Sequence, residues 1–210
     1  MRHRRNQYRE KRNRTKRFSR NSLDFNRRKK KEVNTALAKE VAAWIIEVIV
    51  TVAIAAVIVF FLGIRVQVVG TSMQGTLENG DAVLVNRFVY KLFSPKANDI
   101  VVFLPNGNEK SHYYIKRVIA GPGDTVQIVD GKVLVNGEPF QEEIENPAIE
   151  NALLAEEPIL VGEDEYFVLG DNRDNSEDSR YANIGNVKKE HILGKAWFIV
   201  SPWKKFGFLK

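Results

Sequence analysis

Between Val41 and Ile64 the chain reads VAAWIIEVIVTVAIAAVIVFFLGI, 24 residues with a single charge, Glu47. At 1.5 Å per residue, a helix of that length crosses a hydrocarbon core of about 30 Å. The β-branched residues would suit a strand, but no strand runs so long, and a buried helix of a water-soluble domain would carry a polar face. The run reads as a membrane helix. A cleavable leader fits it poorly: the preceding basic region is far too long, and Arg65 to Val69 offer no small-x-small cleavage site. The expectation is an uncleaved signal-anchor with its N-terminal side in the cytoplasm and the remainder outside.

Charge divides the chain in the same place. Residues 1–40 hold 16 Lys and Arg against 4 Asp and Glu, while the whole chain of 210 residues is only +6, so residues 41–210 are net acidic. With almost nothing apolar before Lys31, this tail cannot offset its ordering entropy and is expected to be disordered alone. Such an arm can bind nucleic acid through phosphates, but only Tyr8, Phe18 and Phe25 interleave it. Basic residues just ahead of an apolar span more simply mark the cytoplasmic side, and they are attracted to anionic lipid. No nucleic-acid partner is expected. Cys is absent and His numbers 3, which excludes disulfide scaffolds, thiolate nucleophiles and clustered zinc sites.

Past Ile64 the pattern turns to β. Short runs rich in Val, Ile, Phe and Tyr occupy 82–87, 100–104, 113–120, 125–129, 132–135, 165–169 and 196–200. Asp130-Gly131 between VQIV and KVLV is the strongest hairpin signal, and Asn106-Gly107, Asn136-Gly137 and Gly121-Pro122-Gly123 mark further turns. The acidic stretch 141–158, with a short helix expected over 148–156, looks like an excursion from the β core. The resulting organisation is a basic tail (1–40), an anchor (41–64) and a mainly β domain (65–210), with a small insert subdomain over about 121–160. Trp197, Phe198, Trp203, Phe206 and Phe208 suit either a membrane interface or the β core.

Three segments carry candidate chemistry. Ser72 sits in GTSMQGTL, where Gly70 and Gly75 permit unusual dihedrals. About eight residues follow Ile64 before it, at most roughly 3.6 Å each, which keeps Ser72 within about 30 Å of the membrane surface. A serine needs a base to act as a nucleophile. His112 and His191 lie in no recognisable pattern. Lys116, in YYIKRVI, is the rival: strand alternation puts Tyr114, Lys116 and Val118 on one face and Ile115, Arg117 and Ile119 on the other, so only one of Lys116 and Arg117 is expected to be buried. Desolvation lowers a lysine pKa, whereas arginine stays charged. The third segment, GDNRDNSEDSR from Gly170 to Arg180, fails as a calcium loop because Ser179 and Gly185 occupy positions that need Gly and Glu. It remains either a solvated turn or a hydrogen-bonding loop able to serve Lys116, Arg117 and Arg180.

Taken in order, the anchor, GTSMQGTL, GDAVLVNRF, NDIVVF, YYIKRVIAGPGDTV and GDNRDNSEDSR resemble the bacterial type I signal peptidases, membrane-bound serine proteases with a Ser/Lys dyad, in their compact Gram-positive-type form. The resemblance implies a signal-peptidase-like β fold. In it Ser72 would attack the scissile carbonyl, with Lys116 as general base and Ser176 orienting the lysine. Asp178 would pair with Arg180, and Asp171 with Arg117. The oxyanion hole would use the Ser72 N–H; some relatives add a hydroxyl at the position of Gly70, which has none. Met73, Leu77, Tyr114 and Ile115 would line shallow pockets for an Ala-x-Ala site. No cofactor is implied. The implied partners are signal peptides of secretory preproteins, the lipid bilayer and the secretion translocon. Gly75 departs from the family, which usually has Pro there, and points to a looser loop. A catalytically silent, membrane-tethered β domain that binds exported chains or a secretion partner is the alternative.

Overall fold

The computed structural model describes residues 35–59, 63–142 and 148–209. The basic tail through residue 34, the end of the apolar run at 60–62 and part of the acidic stretch at 143–147 lie outside the described residues. The chain falls into two compact units, one ending at Val57 and the other beginning at Ile58.

Helix α1, Thr35–Val59, is 25 residues long, with a mean hydropathy of 2.6 over its most apolar window and none of that window buried. At 1.5 Å per residue it measures roughly 38 Å, enough to cross a bilayer by length and composition. It starts six residues before the apolar run, since Thr35 to Glu40 are also helical. The far end differs as well: Gly63 and Ile64 belong to a strand.

That strand, β1 (Gly63–Gln67), opens the β unit. There follow β2 (Ala82–Asn86), the single-turn helix α2 (Val89–Leu92), β3 (Ile100–Phe103), β4 (Tyr114–Ala120), β5 (Thr125–Val129), β6 (Lys132–Val135), β7 (Glu138–Pro139), β8 (Ile159–Leu160), β9 (Glu165–Leu169), β10 (Val187–Lys188), β11 (Ile192–Ser201) and β12 (Gly207–Phe208). The larger sheet has the order β1-β2-β11-β3-β4-β9-β10 with β12 added to β11; the smaller is β7-β6-β5-β8. Every pairing is antiparallel. The domain is therefore mainly β. The two-residue strands β7, β8, β10 and β12 are too short to leave an alternation in the sequence.

Asp130 and Gly131 have φ of 49° and 73°, as a type I′ turn requires, and join β5 to β6 in register. No helix forms over 148–156; a single 3-10 turn covers Leu153–Glu156. Tertiary bonds take the backbone groups a helix would use: Ile149 N–H donates to Gly131 O and Leu154 N–H to Arg180 O. Ala155 is fully buried against the core of the smaller sheet.

The strand carrying both candidate cations is central. β4 lies between β3 and β9, with Val101 opposite Lys116 and Leu169 opposite Arg117. Both of its faces are covered, one by a cluster with Phe103, Val118 and Val168, the other by clusters with Ile115 and Ile119. Lys116 is thus 3% exposed and Arg117 0%. The expectation that only one would be buried fails because it assumed a sheet with one wet face. The terminal aromatics join neither sheet's core. They stack on one another, Phe198 lying 4.8 Å from Phe206 and 5.1 Å from Phe208 between ring centroids, while Trp203 is 82% exposed.

Candidate active site

Ser72 lies in a compact turn between β1 and β2. Thr76 and Leu77 N–H both donate to Met73 O, and Gln74 N–H donates to Thr71 O. Val68 N–H bonds Asp81 O and Gly80 N–H bonds Val68 O, closing the base of the turn. Gly70 and Gly75 have φ of +92° and +109°, in the region that side-chain-bearing residues avoid. At Gly75 this changes the meaning of the departure from proline, whose ring fixes φ near −65°. The glycine supports a loop path that proline does not allow, and the loop is not simply a slackened version of the proline form.

Met73 and Leu77 anchor the turn, being 1% and 0% exposed and packed with Ile115, Val83 and Val102. Their burial, with Ile115, leaves Tyr114 as the one partly exposed member of the four residues expected to line substrate pockets. A cavity of about 950 Å³ lined by residues including Tyr90, Lys189 and His191 contains none of the candidate site residues.

The loop after β9 clasps the turn from the other side. Asn172 N–H donates to Ser72 O at 3.0 Å. The side-chain amide of Asn172 donates to Thr71 O at 3.2 Å, and that of Asn175 to Thr71 Oγ1 at 2.8 Å. Gly170 has no room for a side chain: a Cβ there would sit 2.1 Å from Ser176 Oγ and 2.5 Å from Ser72 O. Two ion pairs hold the loop. Arg180 Nε donates to Asp178 Oδ1 at 2.8 Å, while Asp178 Oδ2 also accepts from Gly170 N–H at 3.1 Å. Arg117 grips Asp171 through Nε and Nη2 at 2.8 and 2.9 Å, both side chains fully buried. Thr76 Oγ1 donates to Asp171 Oδ2 at 2.6 Å, linking the serine turn to that pair. A buried ion pair keeps its charges only with such complete hydrogen bonding.

At the centre, Lys116 Nζ lies 2.6 Å from Ser72 Oγ, in hydrogen-bond contact. Burial lowers the Lys116 pKa to about 8, against an opposing pull from the carboxylates of Asp178, Glu177 and Asp171; Arg180 adds to the lowering. The Tyr114 ring centroid is 5.4 Å from the same nitrogen. Ser176 Oγ is buried without a hydrogen-bond partner, and no hydrogen bond joins it to Lys116 among the described residues. His112 is exposed, and His191 packs on Gly107 beside Glu190; neither bonds Ser72.

Thr71, Thr76, Asn172, Asn175 and Glu177 were not singled out from the sequence, though all lie inside the blocks that were. Their residue types suit a solvated turn equally well. Only the pairing of two loops some hundred residues apart gives them a task.

A mainly β chain in which a buried amine meets a serine hydroxyl has the makings of a serine hydrolase, and comparison with known proteins places this one among the serine peptidases. A profile of the family described as "Signal peptidase, peptidase S26" matches residues 41–203. Signal peptidase I of Bacillus licheniformis is 35% identical, covering 83% of this chain and 96% of its own. Signal peptidase I P of Bacillus subtilis subsp. natto is also 35% identical, covering 89% of this chain and all of its own. A crystal structure of a signal peptidase I from Enterococcus faecalis aligns with 48% of this chain and 95% of that one, at 30% identity and a TM-score of 0.37. The chain belongs to the signal peptidase family, peptidase S26, and is an enzyme, a serine peptidase.

Proposed function

We propose that this protein is a membrane-bound endopeptidase that removes N-terminal signal peptides from exported preproteins, with Ser72 as nucleophile and Lys116 as general base. The observation that carries the reading is the 2.6 Å contact between Lys116 Nζ and Ser72 Oγ, with the amine 3% exposed. An amine of pKa about 8 is neutral in an appreciable fraction of molecules near neutral pH, which a solvated lysine is not.

In that state the amine accepts the hydroxyl proton as Oγ attacks the scissile carbonyl carbon. The resulting ammonium gives the proton to the leaving amine, and the peptide after the cleavage site departs. Lys116, neutral again, takes a proton from the water that hydrolyses the acyl-enzyme. Among the described residues the Ser72 N–H donates to no protein acceptor, leaving it available to the developing oxyanion. Gly70 supplies no hydroxyl to help it. Asp178 with Arg180 and Asp171 with Arg117 hold the flanking loop in place.

Small side chains before the cleaved bond, as in Ala-x-Ala, suit a turn whose Met73 and Leu77 are already buried and offer no deep pocket. The apolar α1 would anchor the enzyme in the bilayer, with the basic tail cytoplasmic and the β domain outside, where translocated preproteins emerge. The test is cleavage of a preprotein by the purified full chain in detergent. The expected products are the free signal peptide and the mature chain, and Ser72→Ala should abolish them. No cleavage by the parent chain, or undiminished cleavage by Ser72→Ala, would instead favour a silent binding domain.

A further inference from the structure

The general base has a neighbour with no part in the proton transfers above. Tyr114 stands two residues before Lys116 on β4, its ring 5.4 Å from Nζ and 6.0 Å from the Phe103 ring between centroids. Its hydroxyl donates to Glu177 Oε2 at 2.9 Å. Glu177 is exposed on the loop between Ser176 and Asp178, and its other oxygen accepts from the Asn183 side-chain amide. One carboxylate thus fixes the phenol from outside while the ring presents its π system to the amine. A ring face within about 6 Å attracts an ammonium and is indifferent to a neutral amine.

We propose that Glu177 and Tyr114 form a latch that stabilises the protonated form of Lys116, so that the charge of Glu177 sets the acid limit of the enzyme's activity. Tyr114 and Glu177 are positioning residues in this scheme, acting through Lys116; the proposal rests on the general-base reading of Lys116.

Several other charges face the amine. Asp178 and Asp171 also favour the ammonium and Arg180 opposes it, while burial outweighs them all. Asp178 and Asp171 are each bound to an arginine, Arg180 and Arg117. Glu177 instead accepts from the neutral donors Tyr114 and Asn183. The Tyr114 hydroxyl is held protonated by its bond to Glu177, which raises its pKa. Glu177 can therefore be neutralised without breaking either of those two ion pairs.

The experiment is the pH profile of kcat/KM for cleavage of a peptide spanning an Ala-x-Ala site by the full chain in detergent, since this parameter reports groups of the free enzyme. Glu177→Gln keeps an amide oxygen for the Tyr114 hydroxyl and removes the charge. Its acid limb should move to lower pH by about half a unit, as expected for one charge several ångströms away in a wet setting. The displacement should shrink in about 1 M salt. Tyr114→Phe keeps the ring but frees Glu177, and should move the limb the same way by less. A Glu177→Gln limb that coincides with the parent's or moves upward overturns the proposal, whatever happens to the plateau. So does a shift in Glu177→Gln with none in Tyr114→Phe, because the charge would then act without the ring. Lys116→Arg separates the levels: if it still cleaves, the general-base reading falls; if it is dead and the Glu177→Gln limb is unmoved, only the latch falls.

Discussion

Lys116 Nζ and Ser72 Oγ meet at 2.6 Å although 44 positions separate them in the chain. The amine comes from the interior of a central strand and the hydroxyl from a turn laid over it. Strand burial supplies the low dielectric that keeps the amine basic yet uncharged; the turn supplies an acceptor that does not require a charged partner. Neither segment alone has both properties.

The reaction should depend on that pair in a way charge alone cannot replace. Arg117 already shows that a guanidinium can be buried on this strand, so Lys116→Arg is expected to fold yet lose at least about 1000-fold in kcat/KM, as arginine does not deprotonate. In the parent enzyme kcat/KM should rise with pH and level off above about 8. An active Lys116→Arg enzyme would falsify the general-base role.

Removing the lysine should stabilise the fold at neutral pH. The pKa is lowered from 10.5 to about 8 on folding, so between those values the unfolded chain binds more protons and stability rises with pH. Below about pH 8 the full penalty applies, on the order of 3 kcal/mol. Lys116→Met should therefore raise the thermal midpoint at pH 7, with its advantage shrinking as pH nears 10.5. The readout is paired unfolding curves at both ends of the window, and an advantage independent of pH contradicts the mechanism.

The Arg117–Asp171 pair should be costly to break from one side. Asp171→Ala leaves a guanidinium with no carboxylate in a site of 0% exposure, a loss of about 3 to 5 kcal/mol. Thr76→Val removes one hydroxyl from the same network and should cost about 1 to 3 kcal/mol. Denaturant titration of both variants checks the order, and a Thr76→Val loss as large as that of Asp171→Ala would contradict it.

Gly170→Ala adds one carbon where two groups already stand, 2.1 Å from Ser176 Oγ and 2.5 Å from Ser72 O. The serine turn has to shift, and a displacement near 1 Å at a nucleophile costs about 100-fold in rate. The expected result is a large fall in kcat/KM with secondary structure retained by circular dichroism. Full activity would show that the loop yields elsewhere.

Gly75→Pro, although it restores the residue more usual in the family, should weaken this enzyme. With φ at +109° the ring cannot be accommodated without rebuilding the turn, and the loss should exceed about 1 kcal/mol. Unfolding of the variant beside the parent decides it, and a stabilised variant would mean that the turn adopts a second path.

Much of this was legible from residue order. The apolar run announced a membrane-crossing helix because a bilayer demands a length no soluble element needs. Asp130-Gly131 announced its hairpin because positive φ restricts which residues can stand there. The longer strands were visible from their alternation, and the serine, lysine and polar-loop segments from a succession of blocks that resembles one family. These are local properties, set by each residue's own backbone preferences and by its spacing from near neighbours. What a strand's two faces touch is not local. The sequence could not say that both Lys116 and Arg117 are buried, that Thr76 and Asn172 tie two distant loops together, that Gly75 turns where proline could not, or that Glu177 reaches Tyr114. Those facts follow from which strands lie beside β4 and which loops close over it, because burial and long-range hydrogen bonds exist only once the chain has been brought together.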